Sequence, residues 1–86
     1  MIFVTVKLTG LLVRDHPNVD RFGQVVDVKE LPYGTSISCL ARRLRSENPG
    51  MELDSCMVVL NNELTNGDRR LRDGDIVAFF APVAGG

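Results

Sequence analysis

The chain is poor in the residue types that most metal and redox sites need. Among its 86 residues it has two cysteines, Cys39 and Cys56, and one histidine, His16. These are too few for a structural zinc site of the usual kind, or for a cysteine-ligated iron–sulfur cluster, which needs about four thiolates. One disulfide is possible in an oxidising compartment, but two thiols in the cytosol are the better interpretation. We therefore expect no bound metal.

The chain also lacks excess charge and a long apolar segment. Ten basic and eleven acidic residues give a net charge of −1, which argues against a nucleic-acid or membrane-surface protein held by bulk charge. No stretch approaches the ~20 apolar residues of a membrane span, and no basic region followed by an apolar core opens the sequence. We expect a cytoplasmic protein of one small domain.

No catalytic constellation is visible inside the chain. The serines have no histidine at a suggestive spacing, and His16 lies in a predicted loop. Four carboxylates lie near predicted turns, where such residues cap and solubilise: Glu52, Asp54, Asp73 and Asp75. No glycine-rich phosphate loop precedes a helix. The remaining candidate for a reactive group is the C-terminal carboxylate of Gly86.

Apolar periodicity predicts most of the fold. Residues 2–10 and 24–30 alternate as two strands that form a wide hairpin around the 11–23 loop, whose role the sequence leaves open. Thr35 is the predicted N-cap of a helix that ends at Asn48-Pro49-Gly50. The apolar stripe of that helix is Ile37, Leu40, Ala41 and Leu44. Cys39 is expected beside the stripe, at least partly buried and inert. Arg42, Arg43 and Arg45 are expected on the outer face and in the last turn.

Three further strands follow the helix. The predicted spans are 56–60, 63–65 as a short edge strand, and 76–80, separated by turns at 61–62, 66–68 and 73–75. One sheet with one helix across it is an α+β domain. For this element order the natural topology is the β-grasp, a mixed sheet of four to five strands with the last strand beside the first. We assign residues 1–81 to this domain and residues 82–86 to a flexible tail.

The tail is thin and uncharged. Pro82 cannot donate to a sheet ladder, and Gly85 and Gly86 have almost no side-chain anchor. Such a segment suits a carboxylate that enters a narrow channel of another protein. The alternative is an ordinary frayed terminus.

The C-terminal residues resemble a known family. Leu71–Phe80, with its Gly-Asp turn and apolar strand, followed by Pro82-Val83-Ala84-Gly85-Gly86, is similar to the end of the MoaD family. These proteins are the small sulfur-carrier subunits of molybdopterin synthase, related to the ThiS carriers of thiamine synthesis and to ubiquitin. The Leu8-Thr9-Gly10 end of the first strand also resembles ubiquitin. Ala81-Pro82 stands where the family usually has two prolines, which leaves one more rotatable residue.

The resemblance implies a β-grasp fold and a role for each tail residue. An adenylyltransferase similar to the ubiquitin-activating enzymes would use ATP to adenylate Gly86, and a sulfur donor system would convert it to a thiocarboxylate. Pro82, Val83, Ala84 and Gly85 would carry that group into the large subunit of molybdopterin synthase for dithiolene synthesis. The carrier would bind no cofactor permanently and would have no catalytic site of its own.

Strand alternation also indicates a docking surface. Val77 and Phe79 should face the core, whereas Ile76, Ala78 and Phe80 should face the open side of the sheet. Phe80 and Ile76 are candidate anchors for a partner; the alternative is that Phe80 packs within the chain. Arg69, Arg70 and Arg72 either meet an acidic patch of the partner or are simply solvated.

Three rival functions stay open. A carrier for thiamine thiazole synthesis or a related pathway shares the same activation, although Pro82-Val83-Ala84 and the 86-residue length favour the molybdopterin type. A ubiquitin-like modifier differs only in its acceptor, a protein lysine. The third rival is a passive binding domain with an accidental tail, in which removal of Gly85 and Gly86 would change nothing measurable.

Overall fold

A computed structural model describes residues 1–12, 16–51, 53, 56–65 and 68–81. In this part of the chain there are five strands and one α-helix. They are β1 (Ile2–Thr9), β2 (Gln24–Leu31), α1 (Ile37–Glu47), β3 (Met57–Leu60), β4 (Glu63–Leu64) and β5 (Ile76–Phe80), with a short 3-10 turn, Gly10–Leu12, after β1. Each predicted strand is confirmed to within one residue at either end.

The strands form one mixed sheet in the order β2-β1-β5-β3-β4. β1 pairs with β2 antiparallel and with β5 parallel, and β3 pairs antiparallel with both β5 and β4. The last strand therefore lies beside the first in the middle of the sheet, as predicted. The α+β class and the β-grasp topology are confirmed.

The alternation of β1 places one row of side chains in the core. Its members are Ile2, Val4, Val6 and Leu8, all buried. β5 contributes Val77 and Phe79, which are also buried, and the helix covers this face with Ile37, Leu40 and Leu44. Every second side chain of a strand points to one face of the sheet, and every third or fourth side chain of a helix lies on one stripe. A sheet and a helix with these apolar repeats pack into such a two-layer core.

The N-cap of the helix is Ser36, not Thr35. Ser36 has extended backbone dihedrals, and its hydroxyl accepts a hydrogen bond from the Cys39 N–H at 3.3 Å. The Thr35 hydroxyl instead donates to the Pro32 carbonyl at 2.7 Å and closes the preceding turn. Adjacent hydroxyl residues have similar capping propensity, so the choice depends on backbone conformation that the sequence does not show.

Cys39 is exposed, which contradicts the expectation that it is at least partly buried. At about 100° per residue, position 39 lies roughly 200° around the helix from Ile37, whereas Leu40 and Leu44 lie within about 60° of it. The thiol therefore projects from the outer face. Its pKa is lowered, first by a hydrogen bond with the Ser36 side chain. No disulfide joins Cys39 to Cys56.

Polar contacts hold both ends of the helix. The Asp68 carboxylate accepts from the Ser38 N–H at 2.9 Å and from the Ser38 hydroxyl at 2.7 Å, which lowers the pKa of Asp68. Near the other end, Lys29 Nζ lies 2.6 Å from Glu47 Oε1 and lowers the pKa of Glu47. Asn48 is the C-cap, as the predicted helix end requires. In the described part of the chain, no helix is long and apolar enough to cross a membrane.

Turns near the N-terminal end of β5 fix where this strand begins. Asn61 and Asn62 have positive φ values of 51° and 71°, as their predicted hairpin requires. Asn61 Nδ2 donates to Asp75 Oδ1 at 3.0 Å, and Asn61 Oδ1 accepts from the Ile76 N–H at 2.9 Å. On the β1 side, the Thr5 N–H donates to the Asp75 carbonyl at 2.9 Å. Hydrogen bonds from β1 and from the turn after β3 therefore fix the start of β5 on both sides.

Candidate functional site

The site begins where the chain leaves the C-terminal end of β5. Phe79 is only 1% exposed, and its carbonyl accepts from the Thr9 hydroxyl at 3.5 Å. Phe80 pairs with Thr9 of β1 on one side and with Met57 of β3 on the other. Because both ladders continue to the last residue of the strand, the exit point of the chain is fixed by the rigid middle of the sheet.

Gly10 lies beside this exit. Its φ of +71° is a conformation that side-chain-bearing residues rarely adopt, and a Cβ built on it would lie 3.6 Å from the Ala81 carbonyl oxygen. That distance is ordinary contact, so backbone conformation rather than space favours glycine here. The short turn that begins at Gly10 packs against β5 and forms one wall of the exit.

The predicted tail residues Pro82, Val83, Ala84, Gly85 and Gly86 lie outside the described residues. Their assigned roles remain predictions. Ala81, the last described residue, is half-buried.

The open face of the sheet carries a broad apolar surface. We call it the open-face patch, and its residues are Phe3, Val26, Val28, Met57, Val59, Leu64, Ile76, Ala78 and Phe80. Several large members are well exposed, including Ile76 at 41% and Met57 at 40%. A contiguous exposed apolar surface of this kind marks a site of interaction with another molecule.

Phe80 itself is half-buried between its neighbours on the open face. The exposed aromatic area at this face comes instead from Phe3 on β1. Lys7 lies near the centre of the patch, opposite Val26 on β2 and Ala78 on β5, and shares this face with Thr5 and Thr9 of the same strand.

The predicted docking residues do not form one cluster. Ile76 and Phe80 stand at opposite ends of β5, separated by roughly 13 Å at the usual ~3.3 Å per residue. Arg69, Arg70 and Arg72 precede β5 and so lie at the Ile76 end, away from the exit. They line a cleft of about 440 Å³ together with Leu60, Asn61 and Asp75. Only Phe80 among the predicted anchors adjoins the tail.

Sequence reasoning missed the contributions of β2, β3 and β4 to the patch. Val26, Val28, Met57 and Leu64 face the same side as Ile76 because their strands pair in register with β1 and β5. The signal was present in the alternation of each strand. Only the pairing register joins these separate rows into one surface.

Comparisons with known proteins agree with this geometry. The profile of the ThiS family matches residues 19–86. A solved structure with the same fold is the protein–protein complex of subunits 1 and 2 of molybdopterin-converting factor from Helicobacter pylori 26695. One of its chains is 23% identical with a TM-score of 0.66, and the match covers 99% of this chain and 100% of that one. No curated protein matches the sequence significantly.

Proposed function

The chain belongs to the ThiS family of ubiquitin-like sulfur carriers, and on that premise we propose that it carries sulfur as a thiocarboxylate on Gly86. The observation that supports this most directly is the position of β5. A central strand, paired on both sides, brings the chain to Ala81 at the rim of an exposed apolar surface. A partner that covers the open-face patch would meet the tail at a fixed place.

The chemistry needs nothing from the interior of the domain. A Gly86 carboxylate oxygen attacks the α-phosphorus of ATP and releases pyrophosphate, which leaves an acyl adenylate. A hydrosulfide-equivalent donor then attacks the acyl carbon, the bond to AMP breaks, and a thiocarboxylate forms. Binding and orientation come from the adenylating partner.

We further propose that the acceptor pathway is molybdopterin synthesis and that a large subunit of molybdopterin synthase docks on the open-face patch. The structural neighbour is itself a complex of two molybdopterin-converting-factor subunits, and it matches 99% of this chain, so the match extends into residues 1–18, which lie outside the family match. The exposed apolar side chains of the patch suit the desolvated core of a protein interface. Both this reaction and ATP-dependent loading fit a cytoplasmic location.

A second candidate is sulfur transfer in thiamine synthesis, which the matching family profile favours. The two pathways share the loading step and differ in the protein that accepts the tail. Binding of the loaded carrier to a molybdopterin synthase large subunit, compared with binding to a thiazole synthase, separates them.

Intact-mass spectrometry tests the loading step. After incubation with ATP, an adenylyltransferase and a sulfur donor, we expect the mass gain for replacement of one oxygen by one sulfur. Deletion of Gly86 should abolish the gain, and a Cys39→Ser, Cys56→Ser double variant should retain it. Formation of a cysteine persulfide would instead raise the protein mass by that of a whole sulfur atom. No gain with an enzyme that loads a control carrier would refute the proposal.

A further inference from the structure

The short segment 69–72 is held rigidly although its arginines are exposed. The Arg69 carbonyl accepts from the Ile37 N–H at 2.8 Å, and the Leu71 N–H donates to the Thr35 carbonyl at 2.8 Å. Leu71 is 3% exposed and anchors the segment in the core. The backbone at these positions is therefore extended and fixed against the residues that begin the helix.

The three guanidinium groups of this segment have no partner in the described part of the chain. The neighbouring carboxylates are already engaged: Asp75 accepts from Asn61 and from the Arg72 N–H, and Asp73 accepts from the Phe3 N–H. Three positive charges thus border a cleft in which Asp75 is the one acidic side chain among the described lining residues. A cleft with this balance attracts an anionic group.

The backbone of Arg70 adds a second feature. Arg70 forms an isolated antiparallel bridge with Ser36, whose hydrogen bonds use the Arg69 carbonyl and the Leu71 N–H. The N–H and carbonyl of Arg70 itself have no hydrogen bond among the described residues. In an extended segment these groups point away from the bridge, as they do at a sheet edge.

We propose that residues 69–72 form a second docking surface, which receives an extended acidic segment of a partner protein. The backbone of that segment pairs with Arg70, and its carboxylates meet Arg70 and Arg72, which lie on the side opposite buried Leu71. Recognition by strand addition combined with charge fits both features of the segment. The surface is at the opposite end of β5 from Ala81 and does not depend on the sulfur chemistry.

A peptide titration followed by ¹H–¹⁵N chemical shifts tests the proposal. The probe is an octapeptide of alternating glutamate and threonine, whose glutamates share one face when extended. The control peptide has the same composition with the glutamates in one block. We expect the amide signals of residues 69–72 to shift with the alternating peptide, and its Kd to be at least about tenfold lower than that of the control.

Matched variants separate a specific site from bulk charge. The triple variant Arg69→Gln, Arg70→Gln, Arg72→Gln should raise the Kd of the alternating peptide roughly tenfold or more. The variant Arg42→Gln, Arg43→Gln, Arg45→Gln removes the same charge from the helix and should change the Kd less than about twofold. The proposal would be overturned if both triple variants lost the same affinity, or if the two peptides bound equally well. It would also be overturned if the amide signals of residues 69–72 did not shift in the folded protein.

Discussion

Phe79 and Phe80 are adjacent in β5 but face opposite sides of the sheet, so substitution of each separates stability from docking. Phe79 is 1% exposed in the core, and Phe79→Ala should cost about 3–5 kcal/mol of unfolding free energy. For a domain of this size, that is a drop in melting temperature of roughly 12 °C or more. Phe80 is half-buried on the open-face patch, and Phe80→Ala should cost only about 1–2 kcal/mol.

Binding should show the reverse order. If the patch receives a partner, Phe80→Ala should raise the Kd for the molybdopterin synthase large subunit at least about tenfold, because an aromatic anchor beside the tail is lost. Phe80→Leu keeps most of the apolar area and should retain most of the affinity. Thermal melts and isothermal titration calorimetry on the same samples give both quantities. A melting loss for Phe80→Ala as large as that for Phe79→Ala, with binding intact, would show that Phe80 serves the fold alone.

Three other predictions follow from local contacts. Cys39 should react with iodoacetamide before the partly buried Cys56, because it is exposed and its pKa is lowered; peptide mapping that finds Cys56 labelled first would contradict this. Asp68→Ala should lower the melting temperature at pH 7. The pKa of Asp68 is lowered in the folded protein, so its contribution to stability is present above the ordinary carboxyl pKa and is lost as the pH falls through the folded pKa. The difference in melting temperature between variant and wild type should therefore shrink toward pH 2. Asn61→Gly should destabilise the domain by roughly 1 kcal/mol through its two lost side-chain hydrogen bonds. Asn62→Gly, also at positive φ, is the matched control in the same urea titration and should not destabilise it.

The parts of the fold that the sequence predicted are those with a strong period. β1 alternates because one face is core and the other open, and the helix repeats its apolar residues because one stripe meets the sheet. The Asn61-Asn62 turn was readable because few residues tolerate positive φ at two successive positions. In these cases one physical requirement acts on neighbouring residues, so a short window of sequence contains it.

The parts that it did not predict depend on residues far apart in the chain. Ser36 caps the helix in place of Thr35 while it bridges Arg70, a contact that no local pattern shows. The open-face patch joins rows from four other strands to β5 through the pairing register. Cys39 differs from these, because the helical period already places it away from the stripe and a wheel projection would have corrected the prediction.

The open face of the sheet and the segment that precedes β5 present different chemistry, which constrains how a sulfur carrier of this kind can be recognised. The proposed reaction requires the tail to enter one enzyme for loading and another for transfer, and its small uncharged residues offer little to tell them apart. Selectivity must then come from the domain. The open-face patch extends along the whole of β5 and offers mainly apolar contacts, which depend little on salt. The segment before β5 offers arginines, whose attraction is screened beyond about 8–10 Å at physiological ionic strength. Association that weakens with salt therefore implicates segment 69–72, and association that persists in high salt implicates the patch.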